Sequence, residues 1–202
     1  MITATFIAVL AKLISGASVR WLGCAPDPRQ RIYFANHTSN LDGVLLWSAL
    51  PAELRKLTRP VAAHDYWTAG PVRHFIASRA FNAVLIERKK VTASNNPIEQ
   101  MLRAIGQTDS LIIFPEGGRN PGPDPGPFKS GLYHLGKKRP DIELVPVYID
   151  NANRILPKGE VLPVPLLSCI TFGKPTRVLE GEAKADFLVR AREAVVNLAK
   201  DI

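Results

Sequence analysis

The residue types best suited to move a proton in this chain are His37 and Asp42, five positions apart in Asn36-His37-Thr38-Ser39-Asn40-Leu41-Asp42. An imidazole with one nitrogen held by a carboxylate keeps the other free to take a proton from a hydroxyl. The spacing sets a condition. On an ideal helix, such positions lie about 140° apart around the axis, so two regularly helical residues would not meet. Pairing requires His37 in a loop and Asp42 in the first helical turn, with Thr38 or Ser39 as the cap. The same letters have a plainer meaning. Ser39-x-x-Asp42 is an approximate capping box, in which Asp42 only complements a helix N-terminus. Both meanings stay open at this level.

A second candidate is Phe114-Pro115-Glu116-Gly117-Gly118-Arg119-Asn120. Gly117 and Gly118 would let backbone approach a ligand closely. Arg119 would hold a phosphate through paired N–H donors. The alternative is a turn with a solvated Glu–Arg pair. A third candidate is Glu87-Arg88, which ends the apolar run from Phe81 to Ile86. Read alone, it is two solvated charges at a strand end. Other chemistries find no support. There is no Gly-x-Ser-x-Gly elbow, and Lys129-Ser130 follows Phe128 rather than a glycine, so it is no Walker loop. His64, His74 and His134 show no metal-ligand spacing with His37.

The pattern supplies elements to position these residues. Residues 31–35 predict a strand just before His37, and 110–114 a continuous apolar strand just before the Glu116 turn. Further strands are predicted over 60–63, 81–86, 143–149 and 166–172, and helices over 39–50, 70–79, 129–138 and 183–200. Asn96-Pro97 reads as an N-cap followed by proline at the first helical position. Ile98, Met101, Leu102 and Ile105 keep helical spacing, and Gly106 ends the run. Residues 115–127 form a Gly/Pro-rich loop. This alternation predicts an α/β fold, a three-layer domain with a largely parallel central sheet. Sites in such folds form where strand C-termini meet the following loops, and both main candidates sit there.

At 202 residues, the chain suits one domain with a small appendage. Apolar residues make up 46% and charged residues 22%, which excludes disorder for the bulk of it. Cys24 and Cys169 build neither a disulfide framework nor a four-cysteine zinc site, so a reducing compartment is expected. The net charge of +8 is uneven: residues 1–100 carry 12 basic and 6 acidic side chains, and 101–202 carry 14 and 12. The excess points to an anionic partner, whether membrane surface, phosphorylated substrate or nucleic acid. Nucleic acid fits least, because aromatics are only 7% and no RNA-binding or zinc-finger spacing occurs.

Residues 2–21 place Ile2, Phe6, Leu10, Leu13 and Trp21 on one helical arc, with Lys12, Ser15 and Ser18 opposite. An amphipathic helix over 1–22 is therefore expected ahead of a domain over 23–202. Such a helix either packs on the domain or lies in a membrane interface. Lys12 and the small polar residues interrupt it too much to span a bilayer, and no basic residue precedes it as in a signal peptide.

Taken together, five blocks across residues 31–150 resemble the glycerolipid acyltransferase family, the lysophosphatidate acyltransferases and their relatives. The family's Asn-His-x-x-x-x-Asp block is similar to Asn36-His37 through Asp42. Its strand with an aromatic and an arginine is similar to Phe81 through Arg88. Its Phe-Pro-Glu-Gly-Thr-Arg-Ser block is similar to Phe114 through Asn120. A Phe-Lys-x-Gly block follows at Phe128-Lys129-Ser130-Gly131, and a proline-bearing apolar strand at Leu144-Val145-Pro146-Val147. Gly118 stands where the family has threonine, and Asn120 where it has serine.

The resemblance implies an O-acyltransferase of phospholipid biosynthesis. An acyl thioester, acyl-CoA or acyl-ACP (acyl carrier protein), would be the co-substrate, with no bound cofactor and no metal. The implied acceptor is 1-acylglycerol-3-phosphate, giving phosphatidate. Alternatives are a different lysolipid or polar lipid, or hydrolysis of the thioester by the same His–Asp pair. On this likeness, His37 is the general base and Asp42 orients it. Arg88 and Arg119 hold the acceptor phosphate. Glu116 bonds glycerol hydroxyls or braces an arginine, backbone N–H groups at Gly117 and Gly118 are oxyanion candidates, and Lys129 serves the donor's phosphates or the membrane. The implied location is membrane-associated, peripheral or monotopic, on the cytoplasmic face of the inner membrane and against anionic lipids.

Overall fold

The structure, a computed structural model, describes residues 16, 18–88, 92, 95–120, 122, 124–150 and 168–200. Its centre is strand β2 (Arg31–Ala35), every residue of which is buried. On one side β2 pairs with β5 (Ser110–Ile113), placing Ile32 opposite Leu111. On the other it pairs with β6 (Glu143–Asp150), placing Tyr33 opposite Val145. The full sheet adds β1 (Ser18–Trp21), β3 (Thr58–Ala63), β4 (Val84–Ile86) and β7 (Cys169–Phe172), in the order β1-β7-β6-β2-β5-β3-β4. Neighbours run parallel except β6 and β7, so the expectation of a largely parallel sheet holds.

Successive residues of a strand face opposite sides of the sheet, and β2 divides its side chains between two cores. Ile32 and Phe34 pack with Met101, Leu132, Leu135 and Phe187. These come from helices α5 (Pro97–Ile105), α6 (Gly131–Lys138) and α7 (Lys184–Lys200). Tyr33 and Ala35 pack with Leu45, Leu46 and Leu54 of helices α1 (Asp42–Ala49) and α2 (Ala52–Lys56). Helices thus cover both faces, giving the three layers expected. Burying each large apolar side chain stabilises the fold by roughly 1.5–3 kcal/mol. That packing holds the C-terminal ends of β2 and β5 side by side.

The start and stop signals of α5 act as expected. Asn96 Oδ1 accepts from Ile98 N–H at 2.9 Å, Pro97 opens the helix, and Gly106 ends it at φ +46°. Between β3 and β4 lie two short helices, α3 (His64–Trp67) and α4 (Pro71–Phe75), and a π-helical turn over Ile76–Ala80.

Several expectations need correction. Ser18 to Trp21 are not helical. They pair in parallel with Cys169 to Phe172, and Trp21 stacks on Phe172 with ring centroids 3.9 Å apart. Among the described residues the sheet therefore begins at Ser18, ahead of the boundary expected at residue 23. Residues 2–15 of the predicted helix lie outside the described residues, as do 166–167 of the last predicted strand. β4 begins at Val84 rather than at Phe81. The Phe81 ring is buried edge-on against Trp47, and Asn82 turns the chain at φ +47°. Helix α2 was not anticipated. Among the described residues, no helix is long and apolar enough to cross a membrane.

Candidate active site

β2 runs into Asn36, whose buried amide imitates a peptide group. Its Oδ1 accepts from Ile149 N–H at 2.8 Å, and its Nδ2 donates to Ile149 O at 3.0 Å. The pair satisfies β6 backbone groups beyond the end of β2, and the chain then leaves the sheet. His37 follows in a loop, with Nδ1 2.8 Å from Asp42 Oδ2. Asp42, fully buried, is the first residue of α1. This is the placement that the five-residue spacing required.

Of the capping box only one half forms, the bond from Ser39 N–H to the Asp42 carboxylate. No side chain caps α1, and Ser39 Oγ instead accepts from Leu41 N–H at 3.2 Å. Helix α1 accordingly starts at Asp42, three residues later than expected. Asp42 reaches back towards the loop. The oxygen that holds His37 also accepts from Thr38 N–H at 2.7 Å and Ser39 N–H at 2.8 Å. Its other oxygen is buried with no hydrogen-bond partner among the described residues. A carboxylate only accepts, so Nδ1 carries the imidazole proton and Nε2 is left for a substrate.

The turn after β5 holds His37 from the other side. The imidazole stacks on Phe114, with centroids 4.4 Å apart and planes 24° apart. Glu116 Oε1 accepts from His37 N–H at 2.7 Å, and Asn120 N–H donates to His37 O at 2.7 Å. Glu116 Oε2 accepts from Gly126 N–H at 2.7 Å. Both oxygens of Glu116 therefore serve backbone donors, and among the described residues the side chain meets no arginine and does not line the cavity. This adds a backbone-holding role to the substrate contact expected for it. The reason is topological. β2 and β5 are parallel neighbours, so their following loops abut, and an inward-facing peptide N–H needs an acceptor.

In a Glu116→Gln variant, one of the two backbone N–H groups faces an NH₂ instead of an oxygen. The expected cost is about 1–3 kcal/mol of stability, with a parallel fall in turnover as His37 loosens. Thermal denaturation and steady-state kinetics on the same preparation check it. Wild-type values in both would show that Glu116 is no clamp.

A cavity of about 840 Å³ opens beside His37. Its rim carries His37, Arg88, Gly118, Arg119 and Lys129. Its interior is apolar, formed by Val61, Phe81, Ile98, Met101, Ile113 and Leu132. β4 and β5 both run parallel to β3 between them, so Arg88 and Arg119 leave the sheet at the same edge. Arg88 lies 3.2 Å from Asp65 Oδ1, with its other terminal nitrogen 3.5 Å from Gly117 O. Gly117 has φ +70°, which favours glycine there, and a Cβ would come within 2.6 Å of Lys129 Nζ, the mobile end of a long side chain. At Gly118 a Cβ would meet nothing within 4 Å, so steric need does not explain that glycine.

Six of the eight expected site residues line one cavity, while Asp42 and Glu116 stand behind it. What the sequence did not reveal is the apolar half, since its side chains come from several separate elements and read as ordinary core. Phe114 as a platform for His37 was missed for the same reason. Cys24 lies against the core cluster on the α1 side of the sheet, where burial pushes its thiol above the usual range, which disfavours a thiolate nucleophile.

The chain is similar to known proteins in sequence and in fold. A 1-acyl-sn-glycerol-3-phosphate acyltransferase of Limnanthes douglasii is 26% identical over 162 residues, covering 76% of this chain and 53% of that protein. One from Haemophilus influenzae is 27% identical over 110 residues, covering 51% of this chain and 41% of its own length. The chain thus spans about half the length of these relatives. In three dimensions it is similar to the crystal structure of the 1-acyl-sn-glycerophosphate acyltransferase PlsC from Thermotoga maritima. The TM-score is 0.74 at 21% identity, over 98% of this chain and 78% of that one. The sequence model of the acyltransferase family matches residues 24–150, more than half of the chain. Because that stretch takes in the histidine loop, both arginines and the clamping turn, the chain belongs to the acyltransferase family.

Proposed function

We propose that this chain transfers a fatty acyl group from a thioester to a hydroxyl of a phosphate-bearing lysolipid, first of all 1-acylglycerol-3-phosphate. The observation that carries the reading is the shared cavity. An apolar chamber suited to a hydrocarbon chain opens beside a carboxylate-backed histidine and two arginines. The names of the curated relatives favour the same acceptor.

His37 Nε2 takes the proton of the acceptor hydroxyl as its oxygen attacks the thioester carbonyl. Asp42 keeps the proton on Nδ1 and stabilises the imidazolium that forms. Of the two turn glycines, Gly117 N–H is committed to Phe114 O at 3.0 Å, so Gly118 N–H is the donor left for the developing oxyanion. The adduct collapses with cleavage of the C–S bond, and the leaving thiolate takes the proton from His37. The products are the ester and the free thiol of coenzyme A or acyl carrier protein. Arg88 and Arg119 bind the acceptor phosphate, and Lys129 the phosphates of the donor. The insoluble product places the reaction at a membrane surface, on the cytoplasmic side where acyl thioesters are made.

The test is an acceptor panel with both thioesters, read by lipid mass spectrometry. Phosphate-bearing lysolipids should be acylated well above neutral ones. Arg119→Ala should raise the acceptor KM about tenfold or more and leave the donor KM near its wild-type value. Equal use of acceptors with and without phosphate would overturn the arginine assignment. Free fatty acid released at the same rate without any acceptor would favour the hydrolytic alternative.

A further inference from the structure

We infer that residues 64–80, between β3 and β4, form a lip of the cavity that lies against an anionic bilayer, with Phe75 inserted among the acyl chains and Arg73, His74 and Arg79 at headgroup level. The inference rests on the acyl-chain reading of the cavity and adds to it the surface through which the chain enters.

The segment is a thin wall. On its inner side, Tyr66, Trp67 and Ala77 line the cavity. None of the four residues of α3 is buried, so this part of the wall lies outside the domain core, whereas Ala77 of the π-helical turn is buried and Ile76 packs on the core. On the outer side, Phe75 is 51% exposed, and Arg73, His74 and Arg79 are exposed beside it. A lone exposed phenylalanine is unremarkable in a soluble protein. Here it coincides with a basic cluster and with the outer face of an apolar chamber. The Arg73 guanidinium sits 4.6 Å over the Tyr66 ring, tying the basic face to the cavity wall. The acidic residue of the segment, Asp65, is paired with Arg88 at the cavity rim, so the exposed charge of α4 and the π-helical turn is positive. The turn over Ile76–Ala80 directs Ala77 into the cavity wall and leaves Ser78 and Arg79 exposed.

An aromatic tip flanked by arginines matches the interfacial zone of a membrane, where the ring enters the acyl boundary and the cations meet lipid phosphates. An acidic carrier protein would satisfy the arginines but leave Phe75 against a polar surface. The bilayer uses both features. An acyl chain drawn through this lip passes from bilayer to cavity without crossing water.

The chain's own tryptophans allow a direct test. Trp21 is stacked on Phe172 and Trp47 is buried, whereas Trp67 lies in the lip. Residues 1–15 contain no tryptophan, so insertion of the N-terminus alone gives no signal there. The full chain is titrated with vesicles of brominated phosphatidylcholine and anionic phosphatidylglycerol. Emission should be quenched in the wild type, and the quenching should be absent in Trp67→Phe. Phe75→Ser and Arg79→Glu should each weaken vesicle binding about tenfold. Both should keep turnover on a soluble short-chain acceptor within about twofold, as exposed residues outside the site. Unquenched emission at saturating vesicles, or wild-type binding by both variants, would overturn the lip. So would an Arg79→Glu variant that binds vesicles normally but loses rate only with the carrier-protein donor. A wild type inactive on soluble substrates would count against the acyl-transfer reading, while quenching and vesicle binding still decide the lip.

Discussion

His37→Ala is expected to lower kcat/KM for acyl transfer by at least about 100-fold. The imidazole is the group on the cavity rim with a nitrogen left over after its structural bond is made, and no second histidine lines that cavity. The fold should survive. The His37 backbone stays clamped by Glu116 and Asn120, whose bonds go to main-chain atoms that alanine retains. Asp42 Oδ2 keeps the N–H groups of Thr38 and Ser39. Circular dichroism and thermal denaturation should therefore match the wild type closely. The measurement that decides is single-turnover acyl transfer with a phosphate-bearing acceptor. A folded variant that turns over near the wild-type rate would remove His37 from the mechanism.

Asp42→Asn should cost about 10²- to 10⁴-fold in kcat and should destabilise the protein as well. The carboxylate gives one oxygen to three donors, His37 Nδ1 and the N–H groups of Thr38 and Ser39. If the amide presents its oxygen there, its NH₂ lands where Asp42 Oδ1 has no partner among the described residues. If it turns the other way, donors face donors. Either placement costs roughly 1–3 kcal/mol, so the substitution is not structurally silent. Asp42 does not line the cavity, so both KM values should stay near wild type while kcat falls. A kcat unchanged in the folded variant would leave Asp42 as a loop-shaping residue only.

Much of the architecture was legible because its causes are local. The Asn96-Pro97 start and Gly106 stop of α5 depend on side-chain and φ preferences within a few residues. The apolar runs at 31–35 and 110–114 could be read as central strands because residues covered on both faces leave no polar alternation. The five-residue spacing set the condition for a His37–Asp42 pair, with His37 in a loop and Asp42 in the first helical turn, and left the capping alternative open. The likeness to the acyltransferases brought the scattered blocks to one site, and six of the eight expected residues do line one cavity.

What failed was non-local. Trp21 fits the apolar arc of a helix as well as it fits a strand, and only its partner settles which. That partner is Phe172, about 150 residues along, joined through the β1–β7 pairing. Glu116 reads as a substrate carboxylate because its letter is polar and its neighbours are glycines. The parallel pairing of β2 with β5 brings the His37 N–H to one of its oxygens, and the Gly126 N–H of its own loop donates to the other. By itself, the sequence determined most of the strand-and-helix pattern, the family likeness and His37 with Asp42 as a candidate pair. The tertiary structure decided the start of the sheet, the clamping role of Glu116 and the apolar chamber. Each of these arises where chain segments distant in sequence satisfy one another's hydrogen bonds or bury one another's surface, and no local preference encodes such a meeting.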